Sequence, residues 1–523
     1  MTDKIESYLC DTWQFGSGSG STLVNPATEE TLAVADTSGL DFKAGLDFAR
    51  RKGGAALRDM TFAARAELLQ QMSSALHAAR EDLIESAVLN GGCTRSDAKF
   101  DVDGAIGTLA AYAAFGKELG ETRILADGDG IQLGRSPRFW GQHIYTPKNG
   151  VAVLINAFNF PAWGFAEKAA CALLAGMPVF TKPATSTAHT AWKLTQVLVN
   201  ADVMPEGSMS FVGGRPGDLL DHLISQDVLA FTGSAATARN LRQHPRIISE
   251  TVPVTVEADS INAAVLGPDV ESGSEAMALF AKDVSRDMTQ KTGQKCTATR
   301  RIFVPEDSLD AATEALIEQL SEIKIGNPQL REARMGPVAS ARQLKDVSAG
   351  LEALMAEAQP VFGGPGRPSE LVGIENDKGF FHSIALLRCK ATQDANQLHS
   401  HEVFGPVATI IPYSGKPQDA VDLVALGDGG LISSVFSDDR KFLESVTLGL
   451  APYHGRIYLG GEKVAEYATG PGLVLPSCVH GGPGRAGAGE ELGGIRGVKH
   501  FMQRTAIQGY RPLVEKITGT KKS

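Results

Sequence analysis

Residues 151–182 read VAVLINAFNFPAWGFAEKAACALLAGMPVFTK. An apolar run over 151–155 is followed by a loop, by an alanine-rich helical segment that reaches Leu174, and by a second apolar run over 179–181. Alternation of buried strands with helices is typical of a parallel, doubly wound sheet. Such sheets bind ligands outside the carboxyl ends of their strands, so the loop over 156–161 is predicted to line a binding site.

The same alternation continues on both sides of this segment. Buried strands are predicted over 209–212, 228–231 and 252–256, with helical connections between them. Upstream, residues 41–90 and 98–119 have helical composition, and Gly91-Gly92 separates them. Residues 124–145 alternate in short runs, and Asp127-Gly128-Asp129-Gly130 predicts the turn of a protruding hairpin.

A second α/β unit is predicted to begin after Glu257. It contains a helix over 273–291, a cysteine loop, a strand over 301–305 and a helix over 309–321. A glycine-dense segment follows Tyr467 and precedes the end of the chain. We therefore place a domain boundary near Glu257 and a third change of organisation after Tyr467.

Composition limits the class of protein. The 523 residues are 43% hydrophobic and 21% charged, which predicts a soluble globular chain of two or three domains. A net charge of −10 argues against a nucleic-acid or acidic-membrane surface. Residues 1–10 lack the apolar core of a secretion signal, and the apolar region 151–180 is interrupted by polar residues. Six cysteines without a CxxC pair favour a reducing compartment, so a cytoplasmic enzyme is predicted.

The loop over 292–301, TGQKCTATRR, contains the strongest candidate nucleophile. Cys296 follows a glycine-containing turn and precedes an apolar run, whereas the other five cysteines lie in unremarkable settings. A cationic neighbour such as Lys295, or a helix N-terminus, can lower the pKa of a thiol. The alternative is that Cys296 is a small buried hydrophobe, as free cysteines commonly are.

Several of these loops resemble, in order, the motifs of the aldehyde dehydrogenase superfamily. The resemblance covers nearly the whole chain and rests on seven segments: Asn156-Ala157-Phe158-Asn159-Phe160-Pro161, Thr181-Lys182-Pro183-Ala184, Phe231-Thr232-Gly233-Ser234, Glu257, Gly293-Gln294-Lys295-Cys296, Glu402-Val403-Phe404-Gly405-Pro406 and Glu491-Leu492-Gly493. It implies a Rossmann-like, doubly wound cofactor domain, a second α/β catalytic domain and a small β oligomerisation element. The corresponding ranges are 1–123 with 146–256, then 257–470, and 124–145 with 471–523.

The resemblance also implies catalytic roles. Cys296 would add to an aldehyde carbonyl, and Asn159 would donate a hydrogen bond to the resulting oxyanion. Glu257 would be the general base that hydrolyses the thioester, since it ends an apolar run where solvation is poor. Lys168 and Glu491 would support a proton relay around that base. Lys168 could instead be an amphipathic surface lysine, and Glu490 leaves the register open by one residue.

For the cofactor, Lys182 resembles the lysine at the adenosine ribose, and Ser234 resembles the pyrophosphate contact. Phe158, Glu402 and Phe404 match positions near the nicotinamide ribose. Relatives that prefer NAD often carry a glutamate three residues after the lysine, where its carboxylate would repel a 2′-phosphate. This chain has Thr185 there, so NADP is favoured over NAD.

Two patterns are dismissed as sites. Residues 482–487 satisfy GxGxxG, but Pro483 and the further glycines open no helix, so a glycine-rich loop is expected. His399, His401 and Glu402 look like a metal cluster, yet the family needs no metal, and none is predicted.

Departures from the family pattern indicate a branch. The chain reads Glu257-Ala258-Asp259-Ser260-Ile261-Asn262 where many relatives read Glu-Leu-Gly-Gly-Lys, has Ala238 where a glycine is common, and contains His480-Gly481-Gly482-Pro483. These variants are similar to the branch that oxidises CoA-linked semialdehydes. The sequence ends at Ser523 without a fused hydratase, so a stand-alone dehydrogenase is expected.

Alternatives from other classes are a CoA-acylating aldehyde dehydrogenase and a non-catalytic protein of the same fold. Glu257 argues against the first, because thiol-acylating relatives commonly lack that base. Cys296 and Glu257 together argue against the second. Apolar residues in the hairpin and the C-terminal tail, including Phe139, Trp140 and Phe501, predict a homodimer or a dimer-based oligomer.

Overall fold

Two seven-stranded sheets form the framework of the molecule. The computed structural model describes residues 2–375, 377–390 and 395–519. Its strands are β1 Asp3–Ile5, β2 Ser7–Leu9, β3 Thr12–Gln14, β4 Ser21–Val24, β5 Thr31–Ala35, β6 Leu125–Gln132, β7 Phe139–Pro147, β8 Ala152–Ile155, β9 Val179–Lys182, β10 Met209–Phe211, β11 Val228–Thr232, β12 Val254–Glu257, β13 Asn262–Leu266, β14 Thr299–Pro305, β15 Ala358–Gly363, β16 Ala385–Cys389, β17 Val407–Tyr413, β18 Gly430–Phe436, β19 His454–Gly460, β20 Val479–Gly481, β21 Glu490–Leu492 and β22 Met502–Tyr510.

Helices cover both sheets. They are α1 Phe42–Phe48, α2 Gly54–Asp59, α3 Phe62–Ala78, α4 Arg80–Gly91, α5 Arg95–Leu119, α6 Trp163–Ala175, α7 Ala188–Asn200, α8 Ala235–Arg242, α9 Pro245–Ser249, α10 Glu275–Thr289, α11 Leu309–Ser321, α12 Ala341–Met355, α13 Asn396–Ser400, α14 Pro417–Ala425, α15 Arg440–Leu450, α16 Ile495–Lys499 and α17 Arg511–Thr518. A π-helical turn, Ala49–Gly53, joins α1 to α2. Gly92 ends α4 with φ of 67°, a conformation that glycine adopts without steric cost.

The first sheet has the strand order β12-β11-β8-β9-β10-β2-β3. The strands from β12 to β10 are parallel, and β2 and β3 pair antiparallel at one edge. The second sheet has the order β15-β16-β17-β14-β13-β18-β19, and β15 alone is antiparallel in it. The predicted α/β, doubly wound class is therefore confirmed.

Burial explains why these strands read as unbroken apolar runs. Residues 152–154 of β8 and all of β14 and β18 are buried, because helices cover both faces of each parallel sheet. Helices α3, α5 and α6 share one large core with β8 and β9. Two further cores flank the second sheet, one on each face.

The hairpin over 124–145 is present, but its turn lies elsewhere than predicted. Residues 127–130 lie inside β6, with an irregular register against β7, and the connection comes after Gln132. The extra residues are absorbed as a bulge, because the unpaired stretch between Asp127 and Ile131 lets the two strands continue pairing. Strand β22 adds antiparallel to β7 and completes a three-stranded sheet.

The apolar residues of this small sheet differ in exposure. Phe139 is 45% exposed, and Tyr510 is 58% exposed on the neighbouring strand. Phe501 is buried in the core beneath α6, so its predicted exposure was wrong. Trp140 is half-buried, because the Arg511 guanidinium lies 4.1 Å above its ring. Within the described residues, no helix has both the length and the apolarity that a membrane crossing requires.

Candidate active site

Most of the predicted site residues lie at the carboxyl ends of the strands of the first sheet. The loop carrying Phe158 and Asn159 follows β8, Lys182 is the last residue of β9, and Glu257 is the last residue of β12. Ser234 follows β11 and caps α8. Because these strands are parallel neighbours, their ends meet along one edge of the sheet.

A left-handed arch brings the chain from α10 to the cysteine. Lys291, Thr292 and Gly293 have φ values of 53°, 58° and 67°. A β-branched residue at positive φ is strained, and the Thr292 hydroxyl offsets this by donating to the carbonyl oxygen of Gly336 at 3.0 Å. A Cβ atom on Gly293 would lie 2.1 Å from the carbonyl oxygen of Gly405, so this position requires glycine.

Two buried polar side chains fix the loop beyond the arch. Arg300 donates to the carbonyl oxygens of Gly405 at 2.7 Å and Gly293 at 2.8 Å. Asn262 Nδ2 donates to the carbonyl oxygens of Cys296 at 2.7 Å and Ala298 at 2.9 Å. The backbone of the cysteine is therefore held from both sides.

Neither expected source of thiol activation is present. Lys295 is fully buried, and its ammonium is bound by Asp287 Oδ1 at 2.8 Å and by Gln290 Oε1 at 2.9 Å. A buried ammonium requires such partners. Cys296 also precedes strand β14 rather than a helix. The expectation that Lys295 or a helix N-terminus lowers the pKa of Cys296 was wrong.

Cys296 opens into a cavity of about 450 Å³. The predicted catalytic residues Asn159, Lys168, Glu257 and Cys296 all line it. The other lining residues are mainly apolar or small: Phe100, Ala157, Phe160, Trp163, Gly164, Glu167, Thr232, Thr297, Gly472, Val474 and His480.

A histidine that was not predicted as a site residue lies between the nucleophile and the base. His480 Nε2 is 3.7 Å from Cys296 Sγ and 3.1 Å from Glu257 Oε2. Burial raises the pKa of the Cys296 thiol to about 12, with the Glu257 charge acting in the same direction and His480 opposing both. Burial lowers the pKa of His480, but the Glu257 carboxylate outweighs it and holds that pKa well above its usual value. At Glu257, burial raises the pKa of the carboxyl, but the charge of His480 opposes it, and the net effect is a lowered pKa.

Lys168 and Glu491 form a second buried pair beside this one. Lys168 Nζ lies 3.0 Å from Glu491 Oε2, and the two side chains are 1% and 6% exposed. Glu490 instead contacts Arg496 at the surface, so Glu491 is the glutamate of the two that lies beside Lys168. Lys168 is not a surface lysine. His480 and Glu491 are paired across β20 and β21, which directs both side chains to the same side of this two-stranded ribbon.

Glu167 is the second carboxyl that lines the cavity, in addition to Glu257. Burial raises the pKa of Glu167 to about 7, while the charges of His480 and Lys168 act in the opposite direction. For Lys168, burial lowers the pKa, but the carboxylates of Glu491, Glu257 and Glu167 raise it more. The protonation of each of these carboxyls and bases therefore depends on the charges of the others.

The residues predicted at the nicotinamide end lie together. The rings of Phe158 and Phe404 meet edge to face with centroids 5.7 Å apart. Arg300 lies over the Phe404 ring, and its guanidinium is 4.0 Å from Glu402 Oε1. Burial raises the pKa of Glu402 to about 7 against the Arg300 charge.

The residues predicted at the adenosine end follow β9 and β11. Lys182 is buried, its ammonium donates to the carbonyl oxygen of Pro183 at 2.8 Å, and burial lowers its pKa to about 8. Thr185 is half-buried and begins a short 3₁₀ turn three residues later. The Ser234 hydroxyl accepts from the backbone N–H of Thr237 at the N-terminus of α8.

The two dismissed patterns have ordinary structural surroundings. His399 stacks on Phe303, and its Nδ1 lies 2.9 Å from the Arg301 guanidinium, a neighbour that disfavours a cation. His401 is exposed. Residues 484–486 of the GxGxxG match form a short 3₁₀ turn.

A model of the aldehyde dehydrogenase family matches residues 13–507. The chain belongs to the aldehyde dehydrogenase family and is an NAD(P)-dependent oxidoreductase of that class.

Relatives and solved structures agree with this assignment. The chain is 44% identical over 480 residues to the 3,4-dehydroadipyl-CoA semialdehyde dehydrogenase of Aromatoleum evansii, which covers 92% of this chain and 93% of that protein. Its fold is similar to that of 3,6-anhydro-L-galactose dehydrogenase in complex with NAP, with a TM-score of 0.84, 21% identity, and 97% and 100% of the two chains covered. A betaine aldehyde dehydrogenase of Staphylococcus aureus in complex with NAD+ has a TM-score of 0.82 and 21% identity, with 97% and 95% covered.

Sequence reasoning missed four residues of the site: Glu167, Asn262, Arg300 and His480. His480 and Asn262 both lie in segments that depart from the usual family pattern. Glu167 precedes Lys168 on an alanine-rich helix, where an unpaired charge among apolar residues is a usable signal. Arg300 lies in an Arg-Arg pair that enters a buried strand, which is equally unusual.

Proposed function

We propose that this enzyme oxidises a CoA-linked aliphatic semialdehyde to the carboxylic acid with NADP as the preferred oxidant. The observation that carries the acid-forming reaction is that Cys296 and Glu257 face one cavity. The 44% identity to the Aromatoleum evansii protein over nearly the full length supports 3,4-dehydroadipyl-CoA semialdehyde as the substrate. The 3-oxo-5,6-dehydrosuberyl-CoA semialdehyde of the phenylacetate route is the alternative substrate.

Acylation begins at the thiol. The Cys296 thiolate adds to the aldehyde carbon, and the carbonyl electrons move to oxygen, where Asn159 in the same cavity is the candidate donor. Bound nicotinamide supplies the acceptor for the hydride that leaves the thiohemiacetal carbon. What remains on the enzyme is a thioester of Cys296.

Deacylation needs a water and a base. Oε1 of Glu257 has no hydrogen-bond partner among the described residues, so it can accept a proton from a water that attacks the thioester. The tetrahedral adduct collapses to the acid and expels the Cys296 thiolate. Lys168 and Glu491 are buried beside Glu257. Their charges offset the change in charge that occurs when Glu257 takes up that proton.

A surface groove adjoins the cavity and suits a long acyl arm. It is open to solvent over a space of about 930 Å³ and shares Phe100, Trp163 and Val474 with the cavity wall. Its floor on α5 includes Gly104 and Gly107, and a Cβ atom on Gly107 would meet nothing within 4 Å. A pantetheine-like arm could occupy this groove while the CoA nucleotide stays outside.

The chain's own residues fit a phosphorylated ribose after β9. Lys182 is a buried ammonium for which the described residues provide no ion-pair partner. An anion beside it would raise its lowered pKa and so favour the charged form. Thr185 presents a hydroxyl instead of a carboxylate. One charge-assisted hydrogen bond contributes about 1.5–3 kcal/mol, which corresponds to a preference of about tenfold or more.

We also propose the division of labour within the chain. Residues 1–123 and 146–256 form the cofactor-binding domain, and 257–470 form the catalytic domain. Residues 124–145 and 471–523 form an oligomerisation segment, because exposed Phe139 and Tyr510 lie on the small sheet. We expect a cytoplasmic homodimer or dimer-based oligomer.

The reaction is tested by following reduced cofactor at 340 nm with both semialdehydes and with NAD or NADP. Mass spectrometry of the product, with and without free CoA, separates hydrolysis from acyl transfer. The free acid from the CoA-linked semialdehyde and a higher kcat/KM with NADP are expected. A new CoA thioester formed only when free CoA is added would replace this function with CoA acylation.

A further inference from the structure

His480 lies closer to both reacting groups than the reaction scheme above requires. Its Nε2 atom is 3.7 Å from Cys296 Sγ and 3.1 Å from Glu257 Oε2, and one atom of each residue lies within 4.8 Å of the other two. The side chain is 4% exposed, and the pairing of β20 with β21 fixes its backbone. A histidine placed in this way can donate a hydrogen bond to the sulfur without moving.

Charge balance in the cavity favours a cation at this place. Loss of the thiol proton to water leaves a thiolate beside the Glu257 carboxylate in a buried space, which is unfavourable. The imidazolium of His480, which the Glu257 carboxylate keeps protonated, lies between the two anions and offsets that cost. The other ionisable groups around it are Glu167, Glu491 and Lys168, and the carboxyls outnumber the single ammonium.

We propose that His480 is a catalytic residue whose imidazolium stabilises the Cys296 thiolate as an ion pair. The S–H bond breaks, its electron pair stays on sulfur, the proton leaves to solvent water, and the Nε2–H that His480 already carries donates to the sulfur. Glu257 accepts a hydrogen bond from the same N–H at its Oε2 atom. The inference rests on the proposed roles of Cys296 and Glu257.

This role separates the work of His480 and Glu257 in time. The His480 cation acts before acylation, when a thiolate is needed. Glu257 acts after it, when a water must be deprotonated. The imidazolium serves again when the thiolate is expelled from the hydrolysed thioester, because it lies beside that leaving group. Removal of His480 should therefore slow the first NADPH burst, whereas removal of Glu257 should spare that burst.

The test measures alkylation of Cys296 by iodoacetamide as a function of pH, without aldehyde or cofactor. His480→Gln keeps an N–H donor near Nε2 but carries no positive charge. We expect Cys296 in this variant to react about tenfold or more slowly at about pH 7, with its pH profile displaced upward by about one unit or more. Exposed Cys478 in the same sample monitors the reagent, and His454→Gln is the matched change at a buried histidine outside the cavity.

A second measurement follows the thiolate directly. Its absorbance near 240 nm, taken as each protein minus the same protein with Cys296→Ser, should appear at a lower pH in wild type than in His480→Gln. Equal midpoints in the two titrations, or a wild-type alkylation profile in His480→Gln, would overturn the proposal. Because neither measurement uses a substrate, a wrong assignment of the aldehyde or of NADP would not change the outcome.

Discussion

Removal of the Asn262 side chain should destabilise the loop that carries Cys296. Asn262 is 1% exposed and joins two segments of the second sheet. Its Nδ2 donates to the carbonyl oxygens of Cys296 and Ala298, at 2.7 and 2.9 Å. Its Oδ1 accepts from the Ser260 hydroxyl at 2.6 Å and from the backbone N–H of Ile432 at 3.1 Å.

Asn262→Ala leaves these four polar groups without that partner. A buried group left unsatisfied costs about 1–3 kcal/mol, and neighbouring groups are not fully additive, so we expect a loss of about 3–6 kcal/mol. A loss of 1 kcal/mol lowers the melting temperature of a domain of about 150–250 residues, the size of the proposed catalytic domain 257–470, by about 2–4 °C. The melting temperature should therefore fall by at least about 6 °C. The loop also loses its anchor, and a displacement of the nucleophile by about 1 Å can cost about a hundredfold in rate.

The assay combines thermal unfolding by circular dichroism with the NADPH burst rate, measured at a temperature where the variant is still folded. Asn327→Ala is the matched control, because Asn327 accepts from the exposed backbone N–H of Gln329 at 3.1 Å and should cost about 1 kcal/mol or less. If Asn262→Ala melts within about 2 °C of wild type and keeps its burst rate, the loop is held by other contacts and the reasoning is wrong.

Four further predictions concern the reaction and the assembly. Glu257→Gln should keep a stoichiometric NADPH burst while turnover stalls at the thioester, detectable by intact-protein mass; a lost burst would contradict this. Thr185→Glu should shift the kcat/KM ratio toward NAD by about tenfold or more through repulsion of the 2′-phosphate, and an unmoved ratio would refute a role for Thr185. Gly107→Leu, which projects into the groove, should raise KM for the CoA-linked aldehyde and spare a short free aldehyde, whereas exposed Ala114→Leu on the same helix should change neither. Light scattering at micromolar concentration should give a mass of at least twice 55.3 kDa, and a monomeric mass would reject the dimer.

The sequence predicted the sheets well because buried parallel strands carry a strong local signal. Apolar runs such as 151–155 and 252–256 became β8 and β12, and Gly91-Gly92 ended α4. The turn at 127–130 was misplaced because Asp-Gly pairs also suit a bulge, and the choice between the two depends on pairing with a distant strand. Exposure of Phe501 was misjudged for the same reason, since α6 covers it from far along the chain.

The site was predicted in part, because motifs identify residues but not their partners. Asn159 and Glu257 lie at strand ends that the motifs mark, and the cavity brings them together with Cys296. Lys295 was wrongly predicted to act on the thiol, because its actual partner is Asp287. This residue lies eight positions earlier, on the last turns of α10, and no sequence pattern indicates the pairing. His480 was missed because its neighbours Cys296 and Glu257 are about two hundred residues away, and only the paired ribbon brings it to them.

The ribbon of β20 and β21 also bears on the order in which the protein matures. Glu257 comes from the first sheet, Cys296 from the loop before β14, and His480 with Glu491 from the ribbon near the end of the chain. A folding intermediate with both sheets formed but the ribbon undocked has a cysteine with no imidazole beside it. Such an intermediate also lacks Glu491 beside Lys168, so the buried charges of the site are not yet balanced. The catalytic site is therefore complete only when the ribbon has docked, so activity reports the folding of the C-terminal part of the chain as well as of the two sheets.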